Sequence, residues 1–403
     1  MNEINNFLNG VKVEWKKLGE VCETQRGKGL KKSDKRENGI PVILYGELYT
    51  TYGDYINEVE TYVDSKKAKS SVKISKNNIL LPISSTTKEA KIGKASLFKM
   101  ESALLGGDAF SLIPNNKIFP SYLMYYLNSN TFEKEKMKCV YGTTIMHLNV
   151  ESFLNLLIPI PPLEIQEKIA KTLDKFTNYA TELQTELQLR TKQYEYYRNL
   201  LLSKEFLENM CVKFDDKPCG GRLETKMLGE ICEILDYKRK PITKSKRIAG
   251  KYPYYGANGI QDYVDDYIFD GTFILMGEDG SVMTKNFTPV LHWVENNKIW
   301  VNNHAHIFKE IKNKCNLRYV YFYLSIVNIS DLVKGVPPKL NQGNLRNIKI
   351  LIPPLQIQEK IVQILDKFSD ISSNLEKGLP KEIDLRQKEY EFYRDRLLNF
   401  KKD

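Results

Sequence analysis

Apolar positions along this chain follow two rhythms, and the two alternate twice. Leu173, Phe176, Ala180, Leu183, Leu187, Arg190, Tyr194, Tyr197 and Leu201 are separated by steps of three and four. That spacing is a heptad seam, and it predicts a long helix made to pair with another helix along a narrow stripe. The seam recurs at Leu365, Phe368, Ser372, Leu375 and Leu379, then resumes at Ile383, Arg386, Tyr390, Tyr393 and Leu397. Ahead of each seam the pattern changes. Runs such as PVILYGEL, NNILLPIS, IGKASLF, GTFILMG and PVLHWV are short, apolar and bounded by Gly, Asn and Asp, which predicts strands joined by turns.

The rhythms alternate twice because the chain carries one plan in two copies. IPIPPLEIQEKIAKTLDKF (Ile158 to Phe176) returns as ILIPPLQIQEKIVQILDKF (Ile350 to Phe368), a constant 192 positions later. KKLGEVCE from Lys16 returns as KMLGEICE from Lys226, and SYLMYYL from Ser121 is answered by RYVYFYL from Arg318. A Leu-Asn pair precedes each helix, at Leu148-Asn149 and Leu340-Asn341, and the helices end alike in YEYYR (Tyr194 to Arg198) and YEFYR (Tyr390 to Arg394). Pro161 and Pro162 fit just before or at the first helical turn, where a missing N–H costs nothing. Glu164 and Glu167 then sit near the positive end of the helix dipole. From Thr24 to Leu112 and from Ile234 to Phe308 no alignment of the halves is evident. A duplicated scaffold with unlike interiors is what a pair of binding modules for different ligands would look like.

The pattern predicts an α+β fold: two globular α/β segments over 1–157 and 204–349, and long helices within 158–203 and 350–403. The first helix leads away from the first segment. The second must run back if it pairs with the first, giving an antiparallel coiled coil and a pseudo-twofold internal repeat. A helix of about 38 residues spans about 57 Å, against about 34–36 Å for one turn of B-DNA. The offset grows from 192 at the helix starts to 196 at their ends, a four-residue stutter that locally unwinds a coiled coil. Gly378 and Pro380 stand at that point, so a break in the second helix is equally compatible.

With 42% hydrophobic and 27% charged residues the balance is that of a globular protein. No apolar run approaches the roughly 18 residues of a membrane span. The opening MNEINNFLNG lacks the regions of a signal peptide, so a cytoplasmic location is expected. Cys22, Cys139, Cys211, Cys219, Cys232 and Cys315 are scattered without zinc spacing and read as small buried apolar residues. The net charge of +10 suits a polyanionic partner, and its distribution sharpens the point. Asp236 to Lys251 holds seven Lys or Arg against one Asp, and Arg26 to Arg36 is similar, at the same stage of the two half-chains.

Signs of catalysis are weak. The Pro pairs occur in IPPL, VPPK and IPPL, without the preceding Asn or Asp that an amino-methyltransferase uses to hold its target amine. No G-x-G-x-x-G or P-loop occurs. FEKEKMKC (Phe132 to Cys139) reads as a solvated helix face rather than part of a nuclease site. His304 and His306 alternate on a predicted strand and would share one face, with no third metal ligand apparent.

The LGE segments, the paired P-P-L-x-I-Q-E-K-I helix starts, the YEYYR and YEFYR helix ends and their half-chain spacing resemble the specificity subunit of type I restriction–modification systems, over essentially the whole chain. YPYYGANGIQDYVDDYIFDGTFILMGEDG (Tyr252 to Gly280) also looks like a target-recognition segment of that family. The resemblance implies two target recognition domains, each reading one half of a bipartite, asymmetric DNA site, with the helices setting the gap. It further implies docking of two modification subunits that hold S-adenosylmethionine, the company of restriction subunits that translocate and cleave DNA, and no chemistry in this chain. No cofactor, metal or catalytic residue is then expected here.

DNA contacts are expected from residues with hydrogen-bonding forks and from phosphate-binding cations. In the first domain these are Lys28, Lys31, Lys32, Lys35 and Arg36, with the turn residues Ser84, Ser85, Thr86, Thr87, Lys88 and Lys91. In the second they are Lys238, Arg239, Lys240, Lys244, Lys246 and Arg247, then Tyr254, Tyr255, Asn258, Glu278, Asp279, Lys334 and Lys339. The rival reading is a coiled-coil adaptor whose divergent domains bind two proteins. The basic segments argue against it.

Overall fold

The computed structural model of the chain describes residues 10–68, 71–85, 92–214, 221–372 and 378–400. Two compact units emerge. One comprises residues 1–184 and 382–403, the other residues 185–381, so each contains a head and one part of both seams. No described helix is long and apolar enough to cross a membrane.

In the first unit the strands are β1 (Glu14–Lys17), β2 (Cys22–Arg26), β3 (Ile40–Ile43), β4 (Ile79–Pro82), β5 (Ser96–Phe98), β6 (Ser102–Leu105) and β7 (Ala109–Pro114). Helix α1 (Pro120–Leu127), helix α2 (Asn130–Met137), strand β8 (Leu157–Ile160) and helix α3 (Leu163–Leu201) follow. The main sheet has the order β2-β7-β4-β5, antiparallel throughout, and is extended by a short strand at Tyr55–Ile56. Its central strand β4 is ILLP with all four residues buried, a run read on both faces by the core. A second sheet is built around β3 and β6, which pair in parallel.

In the second unit the strands are β9 (Glu224–Met227), β10 (Cys232–Ile234), β11 (Ala249–Gly256), β12 (Gly259–Val264), β13 (Phe269–Gly277), β14 (Leu291–Val301) and β15 (Ala305–Glu310). They are followed by α4 (Leu317–Leu324), β16 (Lys349–Ile352) and α5 (Leu355–Ser372); α6 (Leu379–Leu397) belongs to the first unit from Glu382 onward. The sheet order is β10-β15-β13-β14-β11-β12. Its first four strands pair antiparallel in the arrangement that β2-β7-β4-β5 has in the first unit, the last strand of the four lying between the first and the second. The two interiors that share no visible sequence therefore share a sheet.

The segments that open each repeated motif are strands rather than the first turn of a helix. Lys16 pairs with Ile158 in β1 and β8, and Lys226 with Ile350 in β9 and β16. The helices begin only after the Pro-Pro pairs, at Leu163 and Leu355. The second seam is described as two helices, ending at Ser372 and restarting at Leu379, with Gly378 outside both. Leu375 and Cys219 lie outside the described residues.

What joins head to helix is a buried amide, used once per unit. Gln166 accepts from the Phe119 N–H at 2.7 Å and donates to the Pro161 and Lys117 carbonyls at 2.7 and 3.1 Å. Gln358 accepts from the Asn316 N–H at 2.8 Å and donates to the Pro353 carbonyl at 2.7 Å. Tyr122 and Tyr319 add hydroxyl donations to the carbonyls of Pro159 and Leu351. Asp174 then accepts from the hydroxyls of Tyr55 and Tyr125, and Asp366 from Arg318 at 2.8 Å.

Several seam residues are buried or half-buried, whereas Arg190 is exposed. Leu173 is buried in the first core with Tyr390 and Leu397, Leu183 is also buried, and Leu365 lies in the second core. Leu187, Tyr194 and Leu379 are half-buried. Phe176 stacks on Tyr393 at 5.1 Å and Tyr197 stacks on Phe368 at 5.2 Å, so the Phe of each copy meets the Tyr of the other. Tyr179 donates to Glu382 at 3.0 Å, three residues on from Phe176 but eleven back from Tyr393, which makes α3 and α6 antiparallel in the first unit.

Replacing Gln166 or Gln358 with Leu keeps the volume but strands a buried N–H and a carbonyl. We expect each to cost at least about 2 kcal/mol, read as a lower midpoint in urea unfolding. A midpoint within error of the native chain would remove the amide from this role.

Candidate nucleic-acid interface

The basic segment of the second unit is two short 3-10 turns, Asp236–Lys238 and Lys244–Lys246, separated by an extended stretch. Its cations face two ways. Lys238, Lys240, Lys244 and Lys246 are exposed. The two arginines turn inward as anchors. Arg247 lies over the Tyr254 ring at 4.2 Å, donates to the Ile242 carbonyl at 3.1 Å and pairs with Asp262 at 3.2 Å. Tyr254 is buried, and its hydroxyl takes the Ile242 N–H at 3.0 Å. Tyr255 is half-buried and Asn258 exposed. Arg239, Arg247 and Tyr254 thus build the segment, whereas the sequence had grouped them with the DNA contacts. The planar guanidinium and the aromatic hydroxyl each find several fixed partners here, which a lysine would not.

Arg239 enters a buried polar cluster. Its guanidinium meets Glu278 at 2.6 Å, Asp236 at 3.5 Å and the Ala305 carbonyl at 2.7 Å. His306 is buried, with Nδ1 2.6 Å from Asp236 and Nε2 2.8 Å from the Leu340 carbonyl, so both ring nitrogens face oxygen atoms. Asp236 also accepts from the Ile307 N–H at 3.0 Å and the Gln342 amide at 3.2 Å. Among the described residues Asp236, Glu278 and His306 bring metal-ligand atoms within 4.8 Å of one another. The Arg239 guanidinium occupies the cationic place among them, and the cluster reads as structural. Glu278 therefore balances Arg239 instead of reaching a base, which corrects its expected role. His304 does not share the face of His306: it sits in the preceding turn, largely exposed, 2.5 Å from Asp279.

Lys334 and Lys339, both exposed, close a tight loop by exchanging backbone hydrogen bonds of 3.0 and 2.8 Å. Lys339 also pairs with Glu278 at 3.3 Å.

In the first unit Lys28, Lys31, Lys32, Lys35 and Arg36 are all exposed. Their segment starts where Gly27 runs against Gly106; a Cβ there would lie 1.8 Å from the Gly106 carbonyl oxygen, so only glycine fits. Lys35 is tethered to buried Glu47 at 2.6 Å. Lys31, Lys32, Lys35, Tyr45, Glu47 and Thr50 line part of a cavity of about 560 Å³. Ser84 and Ser85 are buried strand residues, with Ser84 Oγ 3.0 Å from His147 Nδ1, so these hydroxyls face the protein and not a groove. Thr86, Thr87, Lys88 and Lys91 lie outside the described residues. Cys22, Cys139, Cys211, Cys232 and Cys315 are buried free thiols, and burial pushes the Cys22 thiol up to about 12, as suits an unreactive core residue.

The profile of the family described as "Type I restriction modification DNA specificity domain" matches residues 11–192 and 222–385. A candidate type I restriction enzyme specificity subunit of Haemophilus influenzae is 43% identical over 185 residues, covering 45% of this chain and 47% of that protein. The Escherichia coli type I restriction enzyme EcoR124I/EcoR124II specificity subunit is 27% identical over 440 residues, covering 100% of this chain and 98% of its own. Among solved structures, the type I restriction–modification S subunit of M. genitalium matches with a TM-score of 0.62 at 16% identity, covering 98% of each chain, and shares the fold.

Burial alone would raise the Asp236 carboxyl, yet the His306 hydrogen bond, the charges of His306 and Arg239 and the Ile307 N–H hold it below its ordinary value. A carboxyl depressed in the folded chain contributes stability that is present above its unfolded value, near about 4, and lost as pH falls through the folded value. We expect the second unit to lose stability below about pH 4. Asp236→Asn should flatten that acid limb while costing about 3 kcal/mol at pH 7, measured by thermal melts across pH. An unchanged acid limb in the variant would assign it to other carboxylates.

Proposed function

The chain belongs to the family of type I restriction–modification DNA specificity proteins, and on that premise we propose that it is the specificity subunit of such a complex, binding a bipartite, asymmetric double-stranded DNA target. The observation that carries this reading is the shared four-strand antiparallel sheet dressed with different loops in the two units, each bearing an exposed basic segment. One scaffold with two unlike binding edges suits two unlike half-sites. Residues 1–157 and 204–349 are taken as the recognition domains, and 158–203 and 350–403 as the spacer segments whose helices set the gap and dock two modification subunits.

Lys238, Lys240, Lys244 and Lys246 in the second domain, and Lys28, Lys31, Lys32, Lys35 and Arg36 in the first, are the phosphate contacts of this proposal. Lysines suit that task because a phosphate needs a point charge and tolerates variable geometry. Asn258 has an exposed amide of the kind that pairs with adenine edges, Tyr255 lies three residues before it, and Asp279 lies beside the Lys334–Lys339 loop. Arg239, Arg247, Tyr254 and Glu278 act indirectly, by holding the loops in place. No residue of this chain is assigned a chemical step. Methyl transfer from S-adenosylmethionine falls to the modification subunits, and any translocation and cleavage of DNA to restriction subunits.

Co-expression with the neighbouring modification subunit in a methylation-free host, followed by mapping of methylated adenines, tests the assignment. A single bipartite motif with a fixed gap is expected, and absence of sequence-specific methylation would overturn it. One heptad added to Thr172–Arg198, with a matching heptad in Leu379–Leu397, should widen the gap by about three base pairs and leave both half-sites unchanged. The same gap in the variant would refute the ruler.

Changing Lys238, Lys240, Lys244 and Lys246 together to Ala should weaken duplex binding by the assembled complex. The slope of log K against log salt should become shallower by about 0.9 for each phosphate no longer neutralised. An unaltered slope would show that these lysines do not meet phosphates.

A further inference from the structure

Val336 projects a fully exposed aliphatic side chain from the tip of the Lys334–Lys339 loop. Lone exposed apolar residues are common on protein surfaces. Three observations set this one apart.

The first is that the loop presenting it is firmly held. Lys334 and Lys339 exchange both backbone hydrogen bonds, the Gly280 N–H donates to the Pro338 carbonyl at 3.2 Å, and the Leu340 N–H donates to the Glu278 carbonyl at 2.8 Å. Lys339 reaches Glu278, and the Leu340 carbonyl takes the His306 Nε2 hydrogen bond. The Val336 loop and the basic segment beginning at Asp236 are thereby anchored to one buried cluster. Gly335 turns the chain with φ +88°, a conformation that favours glycine.

The second is charge. Lys334 and Lys339 flank the tip and are exposed, so the apolar group is offered between two cations.

The third is repetition. In the first unit the Leu148 N–H donates to the Ile83 carbonyl at 2.9 Å, as Leu340 does to Glu278, and Asn149 and Asn341 each cap the short helix that follows. The loop before Leu148 also begins with a positive-φ glycine, Gly142, and also exposes apolar side chains, Tyr141 and Ile145. His147 pairs with Ser84 where Lys339 bridges to Asp279. The same place on the scaffold presents an apolar tip twice, with a different sequence each time.

We propose that Val336 is a specificity-determining contact that enters a groove of the DNA and packs on apolar base surface, with Lys334 and Lys339 holding the flanking phosphates. This rests on the DNA-binding reading above. Apolar base surface is available from two sources, the thymine methyl group in the major groove or a base step opened by a wedge.

The test uses the full chain assembled with its modification subunit and the duplex found by methylation mapping. Val336→Ser is expected to weaken binding to the cognate duplex about tenfold, leaving non-specific binding and the salt slope unchanged. Lys334→Ala with Lys339→Ala should instead flatten the slope, and Val336→Leu should retain cognate affinity. Uracil in place of each thymine of the half-site reproduces the loss if the contact is a methyl group. A 2-aminopurine signal that rises on binding, and fails to rise with Val336→Ser, marks an opened step. Wild-type affinity in Val336→Ser, equal losses on cognate and non-cognate DNA, or no response to either base probe would each overturn the proposal while the specificity role stands. A wild-type complex without sequence-specific binding would instead overturn the role itself.

Discussion

Each unit is organised around one buried glutamine side chain. An amide removed from water must find partners for both its oxygen and its nitrogen or cost several kcal/mol, on the order of 2–7. Gln166 and Gln358 find them in the backbone: an N–H just ahead of α1 or α4, and the carbonyl of the proline that precedes α3 or α5. Three chain segments are thereby fixed to one another by a group that has no alternative arrangement. The tyrosines Tyr122 and Tyr319 repeat the logic one layer further, tying α1 and α4 to the strands that lead into the long helices. Because the glutamine joins head and helix through backbone groups, its part of the joint does not depend on which side chains decorate the head.

That independence is what lets the interiors diverge. The four-strand sheet common to the two units needs only apolar residues at its buried positions and backbone partners along its edges, so ILLP in β4 and FILMG in β13 serve equally. Loops at the sheet ends then vary freely, and they carry the features on which binding rests. In the basic segment of the second unit charge is sorted by chemistry. Arg239 and Arg247, with planar forks, turn in to meet carboxylates, carbonyls and an aromatic ring, while Lys238, Lys240, Lys244 and Lys246 turn out. The Asp236–His306–Glu278–Arg239 cluster is buried and its members hydrogen-bond one another, so it fixes the positions of the exposed groups around it.

The helices show the same economy of rule. Phe176 with Tyr393, and Phe368 with Tyr197, are one pairing made twice with the partners exchanged between the copies. Such reciprocity follows when a repeated sequence pairs with itself antiparallel. It also explains why the YEYYR and YEFYR ends were preserved along with the helix starts: each copy's end is the packing surface for the other copy's beginning.

The sequence by itself determined what depends on neighbours in sequence and on the copy count. The heptad seams, the Pro-Pro starts, the repeated Leu-Asn pairs and the duplication were all legible, because helical contacts recur at three and four residues and a repeat is visible without knowing any contact. Tertiary structure alone decided the rest. Strands β8 and β16 hid inside motifs that looked helical, since their partners β1 and β9 lie more than a hundred residues away. The shared strand order was invisible because sheet pairing constrains burial rather than identity. Ser84, Arg239, Tyr254 and Glu278 were chosen for what their side chains can do in isolation, yet their partners, His147, Glu278, Ile242 and Arg239, turn them inward. A polar side chain's role is set by what faces it. For residues whose partners sit tens of positions distant, only the folded chain brings those partners within reach.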